Sequence, residues 1–272
     1  MNLFKRIFGG SQPSPVPSSI NSNSKIEIFS RHCISSSISA HKKRFPRYSR
    51  EACYRNLIQT IDPSRANLTL FIDTAKGSLN DHFLKNEGRY PIVEIKEGSE
   101  AGSFLRLLEY VEKIDLHPAT ILYFVEDDYL HKAGWIDILL EGFQIPNIDY
   151  ATLYDHRDKY FLSVYKNLES QIFITPSCHW RTVPSTTHTF ATRYSTLQKD
   201  FRVHRRFSKG RAISADHDKF CYLQKRGAKL ISPMPGWSTH AEPEFASPCF
   251  DWQQLLTTLT EESSSCAMQN LS

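Results

Sequence analysis

The chain alternates short apolar runs with longer amphipathic segments. The runs are rich in β-branched and aromatic residues, a composition typical of buried strands. They predict strands at 26–29, 67–72, 91–95, 121–125 and 150–154. Apolar residues at helical spacing predict helices at 49–61, 81–86, 99–114 and 135–143. Strands that alternate with helices in this way indicate an α/β sheet with helices packed on its faces.

The hydrophobic pattern is weaker in the second half of the chain. Short strands are predicted at 161–165 and 171–175, and helices are predicted to begin at Tyr194 and Asp216. Residues 231–250 are rich in proline and show no regular period, so we expect irregular structure there.

The composition of the two ends sets the expected domain limits. Residues 1–24 are mostly Ser, Pro and Asn after a short apolar start, which predicts a disordered N-terminal segment. A single domain is expected over 25–252. Residues 253–272 become Ser-rich and are expected to form a partly disordered C-terminal tail.

Three consecutive carboxylates follow the apolar run 121–125. Glu126, Asp127 and Asp128 would repel one another at the end of a buried strand and would be costly to desolvate. A hard divalent cation relieves both problems, because Mg²⁺ and Mn²⁺ bind carboxylate oxygens and share their other positions with phosphates. The alternative is a solvated acidic turn that caps the next helix.

Polar residues also follow the first two predicted strands. Ser30 and Arg31 come after the first strand, and Asp73 comes after the second. Ligands of open α/β sheets bind beyond the carboxyl ends of the strands. We therefore expect these residues to lie near the acidic triplet, either as ligand contacts or as solvated turns.

Charge and motif content narrow the functional classes. The 272 residues carry a formal charge of only +4, which argues against a dedicated nucleic-acid-binding protein and suits an enzyme for anionic substrates. The six cysteines form no C-x-x-C pair, which favours a reducing compartment. No P-loop, dinucleotide-binding G-x-G-x-x-G or G-x-S-x-G motif occurs.

No stretch has the length of a transmembrane helix, so we expect a soluble cytoplasmic protein. Within residues 1–10, four apolar side chains could share one face of a short helix with Lys5 and Arg6 opposite. That arrangement would allow peripheral contact with the inner face of the membrane. The alternative is a frayed terminus.

With these residues in place, the chain resembles the GT-A-fold glycosyltransferases over about 25–252. The triplet Glu126-Asp127-Asp128 is similar to the family's D-x-D element in its Glu-Asp-Asp form. The pattern Asp216-His-Asp218 followed by Gly227 is similar to the segment that carries the base in inverting members. The resemblance implies a mixed GT-A (Rossmann-like) sheet flanked by helices.

The resemblance also implies roles for individual residues. Asp128 would be the direct metal ligand, with Glu126 and Asp127 on the nucleotide side. His240, in Gly-Trp-Ser-Thr-His240, would be a second ligand and would favour Mn²⁺ over Mg²⁺. Either Asp216 or Asp218 would be the general base, and the alternative for both is a helix-capping role.

Further contacts follow from the same likeness. Ser30, Arg31 and Asp73 would bind the nucleotide, and Gly102 would begin a helix whose N-terminus suits an anion. Three arginines are candidates to assist the diphosphate: Arg181, Arg193 and Arg211. Two tryptophans, Trp180 and Trp237, would either stack on sugar rings or belong to the core.

The implied reaction is transfer of a hexose, with inversion, from a nucleotide sugar to a hydroxyl acceptor. A UDP-sugar is the favoured donor, and a glycan or lipid-linked glycan of polysaccharide biosynthesis is the expected acceptor. No nucleic-acid partner is expected. The alternatives are a metal-dependent phosphodiesterase or nuclease that uses Asp73, Asp128 and Asp216, and a non-catalytic domain that binds nucleotides or carbohydrates.

Overall fold

The computed structural model describes residues 26–36 and 39–269. Its strands, in chain order, are β1 (Ile26–Cys33), β2 (Ala66–Asp73), β3 (Ile92–Ile95), β4 (Ile121–Glu126), β5 (Tyr129–His131), β6 (Tyr150–Ala151), β7 (Ile172–Ile174), β8 (His179–Thr182), β9 (Phe190–Arg193), β10 (Leu230–Met234) and β11 (Ser238–His240). Its α-helices are α1 (Arg50–Thr60), α2 (Glu100–Val111), α3 (Trp135–Gln144), α4 (Asp158–Phe161), α5 (Tyr194–Ser208), α6 (Asp216–Lys225) and α7 (Trp252–Gln269). The predicted segments 1–24 and 1–10 lie outside the described residues.

A nine-stranded mixed sheet forms the centre, in the order β3-β2-β1-β4-β9-β6-β10-β8-β7. The first four of these strands are parallel, and β9 joins β4 in the antiparallel sense. A separate antiparallel ribbon pairs β5 with β11. The predicted α/β class, a mixed sheet flanked by helices, is confirmed.

Period-two alternation along the central strands divides the core between the two faces of the sheet. Tyr123 of β4 belongs to a cluster that contains Trp135 of α3. The next residue, Phe124, belongs to the opposite cluster with Phe104 of α2 and Leu197 of α5. Side chains of a strand alternate between faces, so each face needs its own helical cover.

Parallel pairing brings the carboxyl ends of three strands to one edge of the sheet. Arg31 of β1 lies opposite Glu126 of β4, and Cys33 lies opposite Asp73 of β2. Helix α2 begins near this edge, where the Ser99 hydroxyl accepts a hydrogen bond from the amide of Gly102. The acidic triplet therefore meets two other strand ends.

Several predicted elements are wrong. Residues 161–165 do not form a strand, because α4 and a 3₁₀ turn at Ser163–Tyr165 occupy this region. The helix predicted at 81–86 is replaced by 3₁₀ turns at Leu79–Asp81 and Phe83–Asn86.

The segment 231–250 is not wholly irregular, since it contains most of β10 and all of β11. Pro233 lies within β10 opposite Trp180. A proline inside a run argues against a strand by local rules, but here tertiary pairing decides.

Helix α7 extends to Gln269, through the segment for which a partly disordered tail was expected. Trp252 and Leu256 are buried together with Ala52 and Cys53 of α1. The spacing of four residues puts both apolar side chains on one helix face, a signal that the Ser- and Thr-rich composition obscured. No helix among the described residues combines the length and apolar character needed to cross a bilayer.

A glycine in α3 allows the close approach of a core tryptophan. A Cβ atom at Gly142 would lie 2.8 Å from two ring atoms of Trp180, which is fully buried. We therefore expect Gly142→Ala to lower the free energy of unfolding by about 1–2 kcal/mol, since overpacking outweighs the gain in helix propensity. Urea unfolding measures this difference.

Gly88→Ala is the control, because a Cβ there meets nothing within 4 Å. Equal stability of the two variants would contradict the packing of Trp180 against α3.

Candidate functional site

A cavity of about 390 Å³ opens at the carboxyl ends of β1, β2 and β4. Seven carboxylates line it: Asp73, Glu100, Glu126, Asp127, Asp128, Asp216 and Glu242. Four basic side chains line it as well: Arg31, Lys42, Arg50 and Lys76. Carboxylates outnumber basic side chains in the lining, although the whole chain is slightly basic.

Asp128 is the most strongly paired acid of the triplet. Its Oδ2 lies 2.8 Å from both His240 Nε2 and Arg44 Nη2. Burial opposes ionisation, but His240 and Arg44 hold the pKa of Asp128 well below its usual range. The pKa of His240 is raised to about 9 against burial, chiefly by Asp128 and then by Glu242. Asp128 and His240 therefore form a tight charged pair.

The other two acids of the triplet each face an arginine. Glu126 lies 3.2 Å from Arg31, and Asp127 lies 3.3 Å from Arg50. Burial raises the pKa of Glu126 to about 7 and that of Asp127 to about 6, and the neighbouring Asp128 adds to both effects. The carboxylates of the triplet are thus partly buried, and arginines from other parts of the chain neutralise them.

The alternative of a solvated helix-capping turn does not describe the triplet. Helix α3 starts after Gly134, which has no side chain to act as a cap. The triplet lines the cavity at the strand end, beside the ends of β1 and β2.

A second carboxylate–imidazole pair lies at the same cavity. Asp216 Oδ1 is 2.8 Å from both His188 Nε2 and Lys219 Nζ. Burial would raise the pKa of Asp216, but His188 and Lys219 together lower it. Asp218 is exposed and lies outside the cavity lining, so it is not a candidate base. The structure thus separates two aspartates that the sequence left equivalent.

Asp73 lines the cavity, but its carboxylate is already bonded to the protein backbone. It accepts hydrogen bonds from the amides of Ala75, Glu97 and Gly98 at 2.8–3.1 Å. This arrangement fixes the loop between β3 and α2. A ligand would have to contact Asp73 in addition to these three hydrogen bonds.

Two predicted nucleotide contacts are not part of the cavity lining. Ser30 hydrogen-bonds His32 at 2.9 Å in the interior, because alternation along β1 turns it away from the face of Arg31. Gly102 lies within the first turn of α2, where Ser99 already satisfies its amide. Ser99 and Ser103 line the cavity instead.

The cations of the cavity were mostly missed from sequence. Arg181, Arg193 and Arg211 are not in the lining, and the first two bind Asp155 and backbone carbonyls respectively. Lys42, from the segment between β1 and α1, and Arg50, at the start of α1, line the cavity instead. Arg44 lies outside the lining and contacts Asp128. The basic run Lys42-Lys43-Arg44 after a strand end was the available signal.

The two predicted sugar-stacking tryptophans also lie outside the cavity. Trp180 is a core residue, and Trp237 is half-buried against the same core cluster. His188, by contrast, was not singled out as a functional residue. It is buried, and its neighbours in sequence indicate no charge partner.

Asp128 would offer a carboxylate to a divalent cation, and His240 would offer an imidazole donor once it gives up the proton that its pairing with Asp128 stabilises. Within residues 26–36 and 39–269 no group of three or more His, Cys, Asp or Glu side chains is arranged to hold a metal. A cation bound by these two residues would therefore need further ligands from water or phosphate, which is common for Mg²⁺. It would also compete with Arg44 for Asp128.

No family model and no curated protein matches the chain. Solved structures are matched at low identity. A 4-diphosphocytidyl-2C-methyl-D-erythritol synthase from Anaerococcus prevotii is 9% identical, with a TM-score of 0.44 over 91% of this chain and 100% of that one. A CMP:2-keto-3-deoxy-manno-octonic acid synthetase in complex with CTP is 13% identical, with a TM-score of 0.47 over 88% and 100%.

The galactosyltransferase LgtC, in complex with donor and acceptor sugar analogues, is 8% identical, with a TM-score of 0.49 over 87% of this chain and 96% of that one. These three structures stay below a TM-score of 0.5. The site is therefore interpreted from its own residues.

His131 follows the triplet closely but points into the core. Its Nε2 shares a hydrogen bond of 2.8 Å with the Tyr123 hydroxyl, and its backbone pairs with the Asn56 side chain. Burial lowers the pKa of His131 from 6.5 to about 3. His131 is therefore a neutral structural residue and not part of the site.

This burial makes stability depend on pH. The unfolded chain protonates His131 near pH 6.5 and the folded chain only near pH 3, so its stabilising contribution is present above pH 6.5 and is lost as the pH falls. The expected slope is about 1.4 kcal/mol per pH unit. The difference in unfolding free energy between the wild type and His131→Gln should therefore narrow from pH 6.5 to 4 in urea titrations.

The exposed His179→Gln is the matched control, because it removes an imidazole that is not buried. A difference for His131→Gln that stays constant with pH would contradict the burial of a neutral imidazole.

Proposed function

We propose that the protein transfers a sugar from a nucleoside-diphosphate sugar to a hydroxyl acceptor with inversion. One observation carries the proposal: a single cavity at the carboxyl ends of parallel strands is lined by two separate carboxylates, Asp128 and Asp216, each of which contacts an imidazole. One pair, Asp128–His240, is suited to a cation, and the other places Asp216 where it can accept a proton. Cation binding and proton acceptance, the two functions that such a transferase needs, would thereby lie at two places in one cavity.

The charge balance of the cavity supports a cation-dependent donor. A diphosphate adds negative charge to a lining in which carboxylates already outnumber basic side chains. A divalent ion at Asp128 and His240 would neutralise the charge that develops on the departing diphosphate. Arg31 and Arg50 are each neutralised by an acid of the triplet, so they offer little free charge for this purpose.

Asp216 is the proposed general base. Its carboxylate lines the cavity and stays ionised, because His188 and Lys219 stabilise the charged form. An acceptor hydroxyl is a weak nucleophile unless its proton is removed as it attacks. Attack from the side of Asp216, with the diphosphate departing from the other side, gives inversion.

The nucleotide is proposed to lie along the strand ends that carry Arg31, Asp73, Glu126 and Asp127. Ser99 and Ser103, at the N-terminal turn of α2, also line the cavity and are proposed as hydroxyl donors to an anion. No contact is assigned to Ser30 or Gly102. A UDP-sugar is the proposed donor and a glycan or lipid-linked glycan the proposed acceptor.

A two-metal phosphodiesterase is less well supported. Such sites need several acids that converge on the ions. Asp73 is engaged by three backbone amides, and the described residues contain no cluster of three potential metal ligands. A non-catalytic binding domain would differ from the proposed enzyme because it would show no turnover.

The first test is release of nucleoside diphosphate from a panel of nucleotide sugars offered with Mn²⁺ and mixed glycan acceptors. Asp128→Asn and Asp216→Asn should each lower turnover at least about 100-fold, the usual scale for a lost general base or charge stabiliser. Asp218→Asn is the matched control, because it changes an exposed carboxylate in the same turn of α6 and should retain activity.

Equal loss in Asp216→Asn and Asp218→Asn would point to damage of α6 and not to a base at Asp216. Absence of turnover in the wild type with every donor would favour a binding domain.

The second test is ligand-induced stabilisation. UDP together with Mn²⁺ should raise the melting temperature more than the sum of the two separate effects, because each ligand supplies part of the other's site. Asp128→Asn should remove the effect. Arg44→Gln should lower the Mn²⁺ concentration needed for it, since the guanidinium and the cation compete for one carboxylate.

A melting temperature that does not respond to any nucleoside diphosphate with Mn²⁺ would reject the proposed donor site.

A further inference from the structure

His188 connects two carboxylates beneath the cavity. Its Nδ1 contacts Glu100 Oε1, and its Nε2 lies 2.8 Å from Asp216 Oδ1. Both ring nitrogens thus face carboxylate oxygens. The contact with Asp216 lacks good hydrogen-bond alignment.

The ring of His188 has little freedom to move. Its side chain is fully buried and stacks on Phe104, with ring centroids 3.8 Å apart and planes at 25°. His188 is not part of the cavity lining, whereas Glu100 and Asp216 are. Any role of His188 in a reaction must therefore act through one of these acids.

Glu100 is itself held from three directions. Its Oε1 contacts both His188 and Arg31, the latter at 3.0 Å. Its Oε2 accepts a hydrogen bond from the amide of Ser214 at 2.9 Å. Since Ser214 lies two residues before Asp216, Glu100 fixes both the imidazole and the backbone that leads into α6.

Four charged groups from four elements act on Asp216. His188 precedes β9, Lys219 lies one turn along α6, Glu100 begins α2 and Arg31 belongs to β1. Lys219 is also fully buried, and it contacts the same Oδ1 atom as His188. In the part of the chain that the structure describes, no hydrogen bond engages Oδ2, which is left to meet a ligand.

We propose that His188 is a positioning residue for Asp216, and that Glu100 acts through His188 to orient the carboxylate. The inference rests on the proposed transferase function. His188 and Lys219 hold Oδ1, and Oδ2 takes the proton of the acceptor hydroxyl as the bond from the acceptor oxygen to the sugar forms and the bond to the diphosphate breaks. Atoms and charge balance, because the diphosphate leaves as the anion and Asp216 becomes neutral.

The first arm of the test measures the pH dependence of nucleoside diphosphate release by the full chain. His188→Gln should lower kcat by about 10–100-fold with little change in KM, since it weakens an interaction that matters for proton transfer. The acid limb of its pH profile should move to higher pH, because burial then raises the pKa of Asp216 without the opposing imidazole.

The double variant Glu100→Gln/His188→Gln distinguishes a positioning role of Glu100 through His188 from two independent effects. Glu100→Gln should lower kcat alone but should add little to His188→Gln, because Glu100 acts through the imidazole. Independent structural damage would instead be additive. His217→Gln is the control, because it replaces the residue next to Asp216 that contacts Ser185 and Tyr165 and should retain the wild-type profile.

The second arm needs no turnover. The difference in unfolding free energy between the wild type and Asp216→Asn is measured from pH 3 to 7, and again in the His188→Gln background. Asp216 stabilises the fold above its unfolded pKa, and this contribution is lost as the pH falls. Without His188 the folded-state pKa of Asp216 is higher, so the loss should be smaller and should be complete at a higher pH.

The outcomes are distinguishable. A wild-type pH profile and rate in an active His188→Gln enzyme would overturn the inference and leave the proposed function standing. An inactive wild type would reject the proposed function, and the stability arm would still decide the coupling, since identical pH curves in both backgrounds would overturn it.

Discussion

The neutralisation of buried carboxylates at one edge of the sheet is the constraint on which the site depends. Parallel pairing of β1, β2 and β4 brings Asp73 and the acidic triplet to the same edge. Unpaired, such acids would take up protons or destabilise the fold. The structure instead provides a cation for each acid of the triplet: Arg31, Arg50 and Arg44.

These counter-ions come from different parts of the fold. Arg31 extends from the neighbouring strand, and its guanidinium also binds Glu100 at the start of α2. Arg44 comes from the connection between β1 and α1, and Arg50 is the first residue of α1. Folding of this connection is therefore linked to the charge state of the strand end, and the carboxylates influence which loop conformation is stable.

The parallel half of the sheet could be predicted from sequence because its signals are local. The apolar runs of β1, β2 and β4 are continuous, and α2 has a clear apolar face that packs as expected. Because local sequence signals also show where these strands end, the sequence predicted that the acids at the strand ends would lie at one edge of the sheet. The antiparallel half was harder, since β10 contains Pro233 and its strand character depends on pairing with β6 and β8.

The partners of the site acids could not be predicted, because they are distant in sequence. Arg44 and Asp128 are separated by 84 positions, and His188 and Glu100 by 88. The periodic pattern of helices and strands relates only residues that are close in sequence, so it does not indicate such pairs. The choice of Asp216 over Asp218 has the same origin: both lie in one helical turn, and only the packing of α6 against the loop that carries His188 decides which one faces the cavity.

The two carboxylate–imidazole pairs are held in different ways, and the difference matches what each would have to do. Asp128 is held partly by Arg44, a long side chain from an irregular segment, so a new cation can replace one guanidinium without moving the sheet. Asp216 is held by His188 and Lys219, both fully buried. A carboxylate that must exchange partners needs a replaceable counter-ion, whereas one that must meet an incoming proton at a defined point needs fixed ones.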